Sequence, residues 1–246
     1  MKTDPGAAAV AAPARMARTA MERSNLYGFL AAIFREEPTP ALLAQMKGRA
    51  FRAALSGAGV ALDDDFLQRP EGELLGDLAV EYTRLFIGPG KHVSPHESAQ
   101  MEGVLWGQRT SAVVRFIEAS GLRYRPEYRG VPDHISVEFD FMGDMTAREA
   151  KAWKRSDQGA AKECLATEER FLSDHLFQWI PKLCEKVIAA SELPFYREMA
   201  KLTRAFIESE SKEVPRWIAG QGPASWSPPR RSEFDPFASA PKDSSA

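Results

Sequence analysis

The chain has 246 residues, 44% of them hydrophobic, which fits one domain with a sizeable core and with or without tails. Its formal net charge of −2 gives no global indication of a nucleic-acid or anionic-membrane partner. No run approaches the roughly 18 apolar residues that a membrane span requires, so no stable membrane insertion is expected.

Apolar residues recur at helical spacing along most of the chain, and no segment shows the alternation and hairpin turns of β-strands. In chain order, the predicted helices cover residues 15–35, 40–47, 50–60, 73–87, 94–120, 132–153, 158–190 and 194–212. We therefore predict an all-α, single-domain bundle of about seven to nine helices over residues 15–213.

Both ends of the chain differ in composition from this domain. Residues 1–14 are rich in alanine, lack the Leu/Ile-rich core of a signal peptide and contain Pro5 and Pro13, so we expect a disordered tail. Met16 and Met21 are alternative starts. Residues 214–246 are rich in proline and serine and are also expected to be disordered.

Local signals place several helix ends. Thr39-Pro40 is typical of an N-cap followed by proline at the first helical position, and Gly88-Pro89-Gly90 ends the helix before it. Ser94-Pro95-His96-Glu97 is interpreted as a capping box that starts the helix over 94–120, on which Met101 and Leu105 are expected to be buried. Pro181 is expected to kink or divide the helical region 158–190.

The two cysteines, Cys164 and Cys184, lie in one predicted helical region. Twenty positions of a continuous helix separate them by about 30 Å, which is too far for a disulfide bond. We expect buried thiols in a reducing compartment.

The pattern of histidines does not favour a metal site. His92 and His96 are four residues apart with Glu97 adjacent, but the predicted capping box leaves His92 outside the helix. No glutamate has a histidine three residues later, as a di-iron bundle would require. His175 flanks an apolar face, where a core histidine with its hydrogen bonds satisfied is the expected role. Neither a metal nor a cofactor is predicted.

Asp133-His134 is the strongest candidate for an acid/base pair, with Glu138 one helical turn later. The alternative is that Asp133 is the N-cap of the helix that follows and that the helix dipole keeps His134 neutral. No nucleophile elbow, Walker loop or dinucleotide-binding fingerprint is present. An enzyme is therefore not the favoured interpretation.

A peptide-binding groove is the third interpretation of the segment 81–144. Leu85 and Phe86 lie on the last turn of a helix, immediately before a surface loop, and would form an apolar floor if they are not fully buried. The alternative is that both are ordinary core residues and that the acids form a solvated face, and the pattern alone slightly favours this alternative. The carboxylates expected around the groove are Glu81, Glu97, Glu102, Asp133, Glu138, Asp140 and Asp144.

Three ordered motifs resemble the TorD/DmsD family of chaperones for molybdopterin-containing redox enzymes. They are Glu81-Tyr82-x-x-Leu85-Phe86-x-Gly88-Pro89, Pro95-x-Glu97-Ser98 and Pro132-Asp133-His134. The family often has a residue between the proline and Asp-His, whereas Pro132 here directly precedes Asp133. The tryptophans that some members carry after the Gly-Pro loop are also missing, since this loop continues as Lys91-His92-Val93.

The resemblance implies an all-helical, cytoplasmic, non-catalytic protein that binds the twin-arginine signal peptide of a precursor enzyme and holds it back from export until its cofactor is inserted. A monomer or a domain-swapped dimer is expected. Arg230-Arg231 is not itself an export signal, because no apolar stretch follows it, although it could occupy the site of its own chain. The residues that the resemblance implies for peptide binding are Tyr82, Leu85, Phe86, Pro95, Glu97, Asp133, His134 and Glu138.

Two other functions stay open at this point. One is a helical adaptor that docks a folded partner subunit, and the other is a small enzyme that uses His134 as acid or base. The identity of the client enzyme is not encoded in the motifs. Whether a nucleotide or the molybdenum cofactor is contacted is also open.

Overall fold

A computed structural model describes residues 5–60, 62–124 and 130–221 of the chain. Within these ranges the protein is helical, and its single strand-like feature is an isolated antiparallel bridge between His96 and His134. The predicted all-α fold is confirmed. None of the helices described is both long and apolar enough to cross a membrane.

Eleven α-helical segments lie in the described residues, with a short π-helical segment, Leu172–Leu176, between the ninth and the tenth. This exceeds the expected seven to nine for three reasons. A short helix occupies part of the expected connection 63–72, the predicted helix over 94–120 is interrupted, and the π-helical segment divides the continuous region 158–190 into two α-helical segments. The segments are α1 Pro5–Arg35, α2 Pro40–Lys47, α3 Arg49–Gly57, α4 Asp64–Gln68, α5 Glu71–Phe86, α6 Glu97–Glu102, α7 Gln108–Ala119, α8 Ile135–Lys154, α9 Gln158–Phe171, α10 Phe177–Ala190 and α11 Pro194–Ile218.

The first and last helices both extend further than expected. Helix α1 begins at Pro5, inside the segment expected to be a tail, and the alanine-rich composition of this stretch favours a helix. Helix α11 continues to Ile218 because Val214 and Trp217 are buried and extend its apolar face. The remainder of the two expected tails, residues 1–4 and 222–246, lies outside the described residues.

The prediction of a single helix over 94–120 is wrong, because two helices, α6 and α7, occupy this range. Helix α6 ends at Gly103, which adopts a left-handed φ of 75°, and Trp106 is also left-handed with a φ of 62°. Met101 on α6 and Leu105 in the connection that follows are both exposed, so the expectation that both are buried is also wrong. Glycine in the left-handed conformation is a common helix terminator. The prediction of one helix followed the apolar periodicity and did not take Gly103 into account.

The long helical region 158–190 is continuous but contains a widened turn. The π-helical segment Leu172–Leu176 directly precedes α10, in which Pro181 is the fifth residue. A proline ring clashes with the carbonyl group four residues earlier, so local widening of the helix before Pro181 relieves this clash. The two cysteines on this region are both free thiols, with Cys184 buried and Cys164 half-buried.

Helix α1 packs antiparallel along α8, and this pair forms the centre of the bundle. Near one end Arg23 contacts Glu149, and near the other end the Phe34 and Phe139 rings are 6.4 Å apart. Between them the Ser24 hydroxyl donates a hydrogen bond to the Gly143 carbonyl at 2.9 Å. This pairing defines the wall of the cleft described below.

A buried charge cluster joins α1 to α8, α9 and α11. The Arg23 guanidinium has 0% of its surface exposed and contacts Glu149 at 2.8 Å, Glu168 at 2.6 Å and Glu210 at 2.8 Å. Burial raises the pKa of Glu149 to about 7, although the charge of Arg23 opposes this effect. Burial likewise raises the pKa of Glu168 well above its ordinary value. The cluster was not predicted, because Arg23 is more than a hundred positions from each of its three glutamates and the four residues share no motif.

Candidate functional site

The Pro95–Glu97 and Asp133–Ile135 segments lie side by side although 35 or more positions separate them. The Glu97 N–H donates to the Asp133 carbonyl at 3.0 Å, and the Ile135 N–H donates to the Pro95 carbonyl at 2.9 Å. The rings of His96 and His134 meet edge to face, with centroids 4.8 Å apart. Two of the three motifs that suggested the family therefore form one structural unit.

Asp133 caps a helix, but not the helix that follows it. Its carboxylate accepts a hydrogen bond from the Ser98 N–H at 2.7 Å and so satisfies a free amide of α6. The predicted capping box is wrong, since His96 is the residue at the N-cap position of α6 and makes no side-chain capping bond. The Ser94 hydroxyl instead lies 3.1 Å from Nδ1 of His96. A capping partner 35 residues away leaves no local pattern.

His134 takes the capping role that was predicted for Asp133. Its Nδ1 accepts a hydrogen bond from the Ser136 N–H at 3.1 Å, and this bond starts α8. Burial, reinforced by the charges of His96 and Arg35, lowers the pKa of His134 to about 3. The lowered pKa favours the neutral histidine that was expected, with burial rather than the helix dipole as the main cause.

Glu97 and Glu138 are buried beneath this unit. The two carboxylate oxygens of Glu97 contact Arg109 at 3.1 Å and Nδ1 of His175 at 2.8 Å, so the expected core role of His175 is confirmed. The Trp179 indole donates to Glu138 at 3.2 Å. Burial, together with the nearby charge of Glu97, raises the pKa of Glu138 well above its ordinary value.

Tyr82, Leu85 and Phe86 are core residues in this conformation, with 3%, 1% and 4% of their surface exposed. The Tyr82 hydroxyl donates to the Phe34 carbonyl at 2.9 Å, and the rings of Phe86 and Phe34 are 5.9 Å apart. The partly exposed apolar floor expected from Leu85 and Phe86 is not formed. Burial favours the alternative that they are ordinary core residues, because α5 turns its apolar face toward the end of α1.

The seven acidic residues expected to rim a groove are divided between the interior and the surface. Four are buried: Glu81, Glu97, Asp133 and Glu138. Glu81, for example, accepts a hydrogen bond from the Glu192 N–H at 2.7 Å and pairs with Arg84. The three exposed members are Glu102, Asp140 and Asp144, and of these Asp140 and Asp144 lie on one open cleft.

This cleft, called the α1–α8 cleft here, has a volume of about 830 Å³. Its walls are α1 and α8, and the end of α7 with the residues that follow closes one side. Arg35 of α1 pairs with Asp140 across the cleft at 2.6 Å, while His96 and His134 form part of its lining. The apolar side chains in its lining include Ile117, Leu122, Val137 and Phe141.

His134 is the one predicted peptide-binding residue that lines this cleft in the described part of the chain. Sequence reasoning missed the contribution of α1, namely Ser24, Asn25, Gly28 and Arg35. A signal for it existed, because polar and small residues interrupt the apolar pattern of the first helix at these positions. Among the described residues, no group of three or more His, Cys, Asp or Glu side chains is arranged to hold a metal ion.

The family model described as nitrate reductase delta subunit matches residues 48–185, which is more than half of the chain. The chain belongs to this family. The matched range contains α5, the paired segments around His96 and His134, and α8. The resemblance to TorD/DmsD chaperones stated from the motifs is therefore confirmed.

Curated relatives agree with this assignment. The chaperone protein TorD of Vibrio parahaemolyticus is 24% identical over 203 residues, which cover 77% of this chain and 93% of the relative. TorD of Aeromonas salmonicida is 30% identical over 135 residues, or 54% of this chain and 59% of the relative. A crystal structure of a putative redox enzyme maturation protein from Archaeoglobus fulgidus is 23% identical and covers 75% of this chain and 93% of its own, with a TM-score of 0.48.

Proposed function

We propose that this member of the nitrate reductase delta subunit family is a cytoplasmic, non-catalytic chaperone that binds the twin-arginine signal peptide of a molybdopterin-containing oxidoreductase precursor. It holds the precursor until the cofactor is inserted, before export or assembly. The observation that carries the proposal is the α1–α8 cleft, which combines an apolar wall with exposed carboxylates.

The chemistry of the cleft suits such a leader. Guanidinium groups pair best with carboxylates, and Asp140 and Asp144 are exposed one helical turn apart on α8. Asp140 already pairs with Arg35, but both side chains are largely exposed, and an exposed ion pair is worth only about 0–1 kcal/mol. A ligand arginine can therefore replace Arg35 at little cost.

The apolar stretch of a leader fits the other wall. Leu122 and Val137 are partly exposed in this wall. A leader is disordered when free, and ordering it costs about 2–5 kcal/mol, so we expect micromolar binding with a net free energy of about −8 kcal/mol. Such an affinity allows the release that a chaperone requires.

The residues of the family motifs take two roles in this proposal. His134 contacts the peptide from the cleft lining, whereas Asp133, Glu97 and Pro95 hold the segments that present His96 and His134. Tyr82 and Phe86 support Phe34, the residue directly before Arg35. The buried residues thus shape the cleft without touching the ligand.

The alternatives are distinguished by what binds. A helical adaptor would bind the intact mature subunit and not the leader. A small enzyme would need His134 to exchange a proton near neutral pH, which its lowered pKa of about 3 and its capping bond to Ser136 oppose. Turnover that His134→Ala abolishes would support that enzyme.

The test is the binding of a fluorescent synthetic leader from a neighbouring molybdoenzyme gene, measured by anisotropy. We expect Asp144→Asn to weaken binding about five- to twentyfold, because it removes an exposed carboxylate from the cleft. Asp64→Asn, which removes an equally exposed carboxylate on α4 outside the cleft lining, is the matched control and should leave affinity unchanged. If no such leader binds the unmodified chain, the proposal fails.

A further inference from the structure

The last described helix, α11, contacts α1 close to residues that line the α1–α8 cleft. Trp217, near the end of α11, lies against α1, with the Arg23 guanidinium 4.8 Å from its ring centroid. The next two residues of α1, Ser24 and Asn25, line the cleft. Gln221, the last described residue, is four positions after Trp217.

The sequence after Gln221 contains the elements of a ligand for this cleft. Arg230-Arg231 is the only pair of adjacent arginines in the chain. Phe234 and Phe237 follow it at short spacing. The order is the same as in a twin-arginine leader, with two guanidinium groups first and apolar side chains after them, although no long apolar stretch follows.

The connection from the last described residue to the two arginines is short but has considerable reach. Arg230 lies nine positions after Gln221, and an extended chain of nine residues reaches about 30 Å. The length of α8 from Asp144 to Asp140 is about 6 Å, and Ser24 contacts Gly143 next to Asp144. A reach of this size is compatible with contacts from Arg230 and Arg231 to both carboxylates.

We propose that the segment Arg230–Phe237 docks in the α1–α8 cleft of its own chain and competes with the leader there. The guanidinium groups pair with Asp144 and, in exchange with Arg35, with Asp140. The phenylalanines pack on the apolar wall that contains Leu122 and Val137. The competing role, though not the docking itself, depends on the function proposed above.

Because the segment is tethered, we expect the cleft to bind the segment of its own chain rather than the same segment of a second copy. A short connection between two binding elements gives an effective concentration in the millimolar range, about a thousandfold above a micromolar solution of protein. Even weak docking then occupies the cleft for an appreciable fraction of the time. A leader with micromolar affinity still displaces the segment, so docking protects the empty cleft without closing it.

The direct test is photo-crosslinking in the full-length chain with Phe234→p-benzoylphenylalanine. At micromolar concentration we expect crosslinks to the cleft-lining residues of α1 or α8, found by mass spectrometry in protein that migrates as a monomer. The same crosslinker at Ala246, outside the proposed segment, is the control and should not label the cleft. Absence of cleft crosslinks, or crosslinks that join two copies, overturns the proposal.

The competition test uses Arg230→Gln with Arg231→Gln in the full-length chain. We expect the affinity for a twin-arginine leader to rise about two- to tenfold, because the tethered competitor is weakened. Lys242→Gln is the control. It removes one positive charge that follows the docking segment in the sequence, and it should leave the affinity for the leader unchanged. Unchanged affinity in the double variant overturns the competition.

The two tests separate this proposal from the proposed function. If the leader binds but the cleft is not labelled from residue 234, the chaperone role stands and self-docking falls. If the cleft is labelled but no leader binds, self-docking stands and the chaperone role falls.

Discussion

The carboxylate of Asp133 accepts a hydrogen bond from the backbone N–H of Ser98 at 2.7 Å, and so caps a helix 35 positions earlier in the chain. The residue is fully buried, and its backbone carbonyl also accepts a bond from the Glu97 N–H. This single residue therefore fixes the start of α6 against the start of α8. The cleft lining at His96 and His134 depends on that junction.

Replacing Asp133 with alanine should destabilise the fold. The variant leaves the Ser98 N–H without its partner and creates a small void, so we expect a loss of about 1–3 kcal/mol in the free energy of unfolding. Asp133→Asn keeps an oxygen acceptor and should lose clearly less. Urea denaturation followed by circular dichroism measures both, and equal losses would contradict the capping role.

Truncating Leu85 or Phe86 should lower the stability of the fold rather than remove a direct contact with the ligand. Leu85→Ala and Phe86→Ala each remove a buried side chain, so we expect a loss of about 2–5 kcal/mol for each. Val80→Ala on the same helix is the control, since Val80 is 71% exposed and should change stability by less than about 0.5 kcal/mol. Fully stable variants that have lost leader binding would show instead that both residues contact the ligand directly.

The buried His134 should make the fold sensitive to acid. Its pKa is about 3 in the folded state and near 6.5 when unfolded, so the unfolded chain binds more protons between these values. His134 therefore contributes stability above pH 6.5 that is lost as the pH falls. At pH 4 the loss from this group is about 3 kcal/mol in the free energy of unfolding. His134→Asn keeps a capping acceptor but does not titrate. The stability difference between the two proteins should shift in favour of the variant by this amount between pH 7 and pH 4, and a difference independent of pH would refute the prediction.

The charge cluster around Arg23 should have the opposite dependence on pH. Glu149 has a raised pKa of about 7, so the folded state binds more protons than the unfolded state between about pH 4.5 and pH 7. The contribution of Glu149 to the free energy of unfolding is therefore largest at low pH. It declines by about 3 kcal/mol as the pH rises through this window. Glu149→Gln mimics the protonated carboxyl group. Thermal melts at pH 5 and pH 8 should show a smaller loss of stability for this variant than for the unmodified chain, with Glu163→Gln, an exposed glutamate on α9, as the control.

The position of the cleft followed from contacts between distant segments. Asp133 and Ser98, or Arg35 and Asp140, are paired across 35 and 105 positions, and no local spacing encodes these pairs. The sequence placed Leu85 and Phe86 correctly on the last turn of a helix but could not decide whether this face meets solvent or α1. Burial of an end-of-helix residue depends on which neighbouring helix covers it.

Local physics alone determined the helical class, because apolar residues at a spacing of three to four positions form one face of a helix whatever it packs against. It also determined the stop at Gly88-Pro89-Gly90 and the N-cap at Thr39, which depend only on adjacent residues. The tertiary structure alone decided which polar residues are buried supports and which line the cleft. Helix packing brings distant residues together, and the resulting burial sets both the pKa of His134 and the exposure of Asp144.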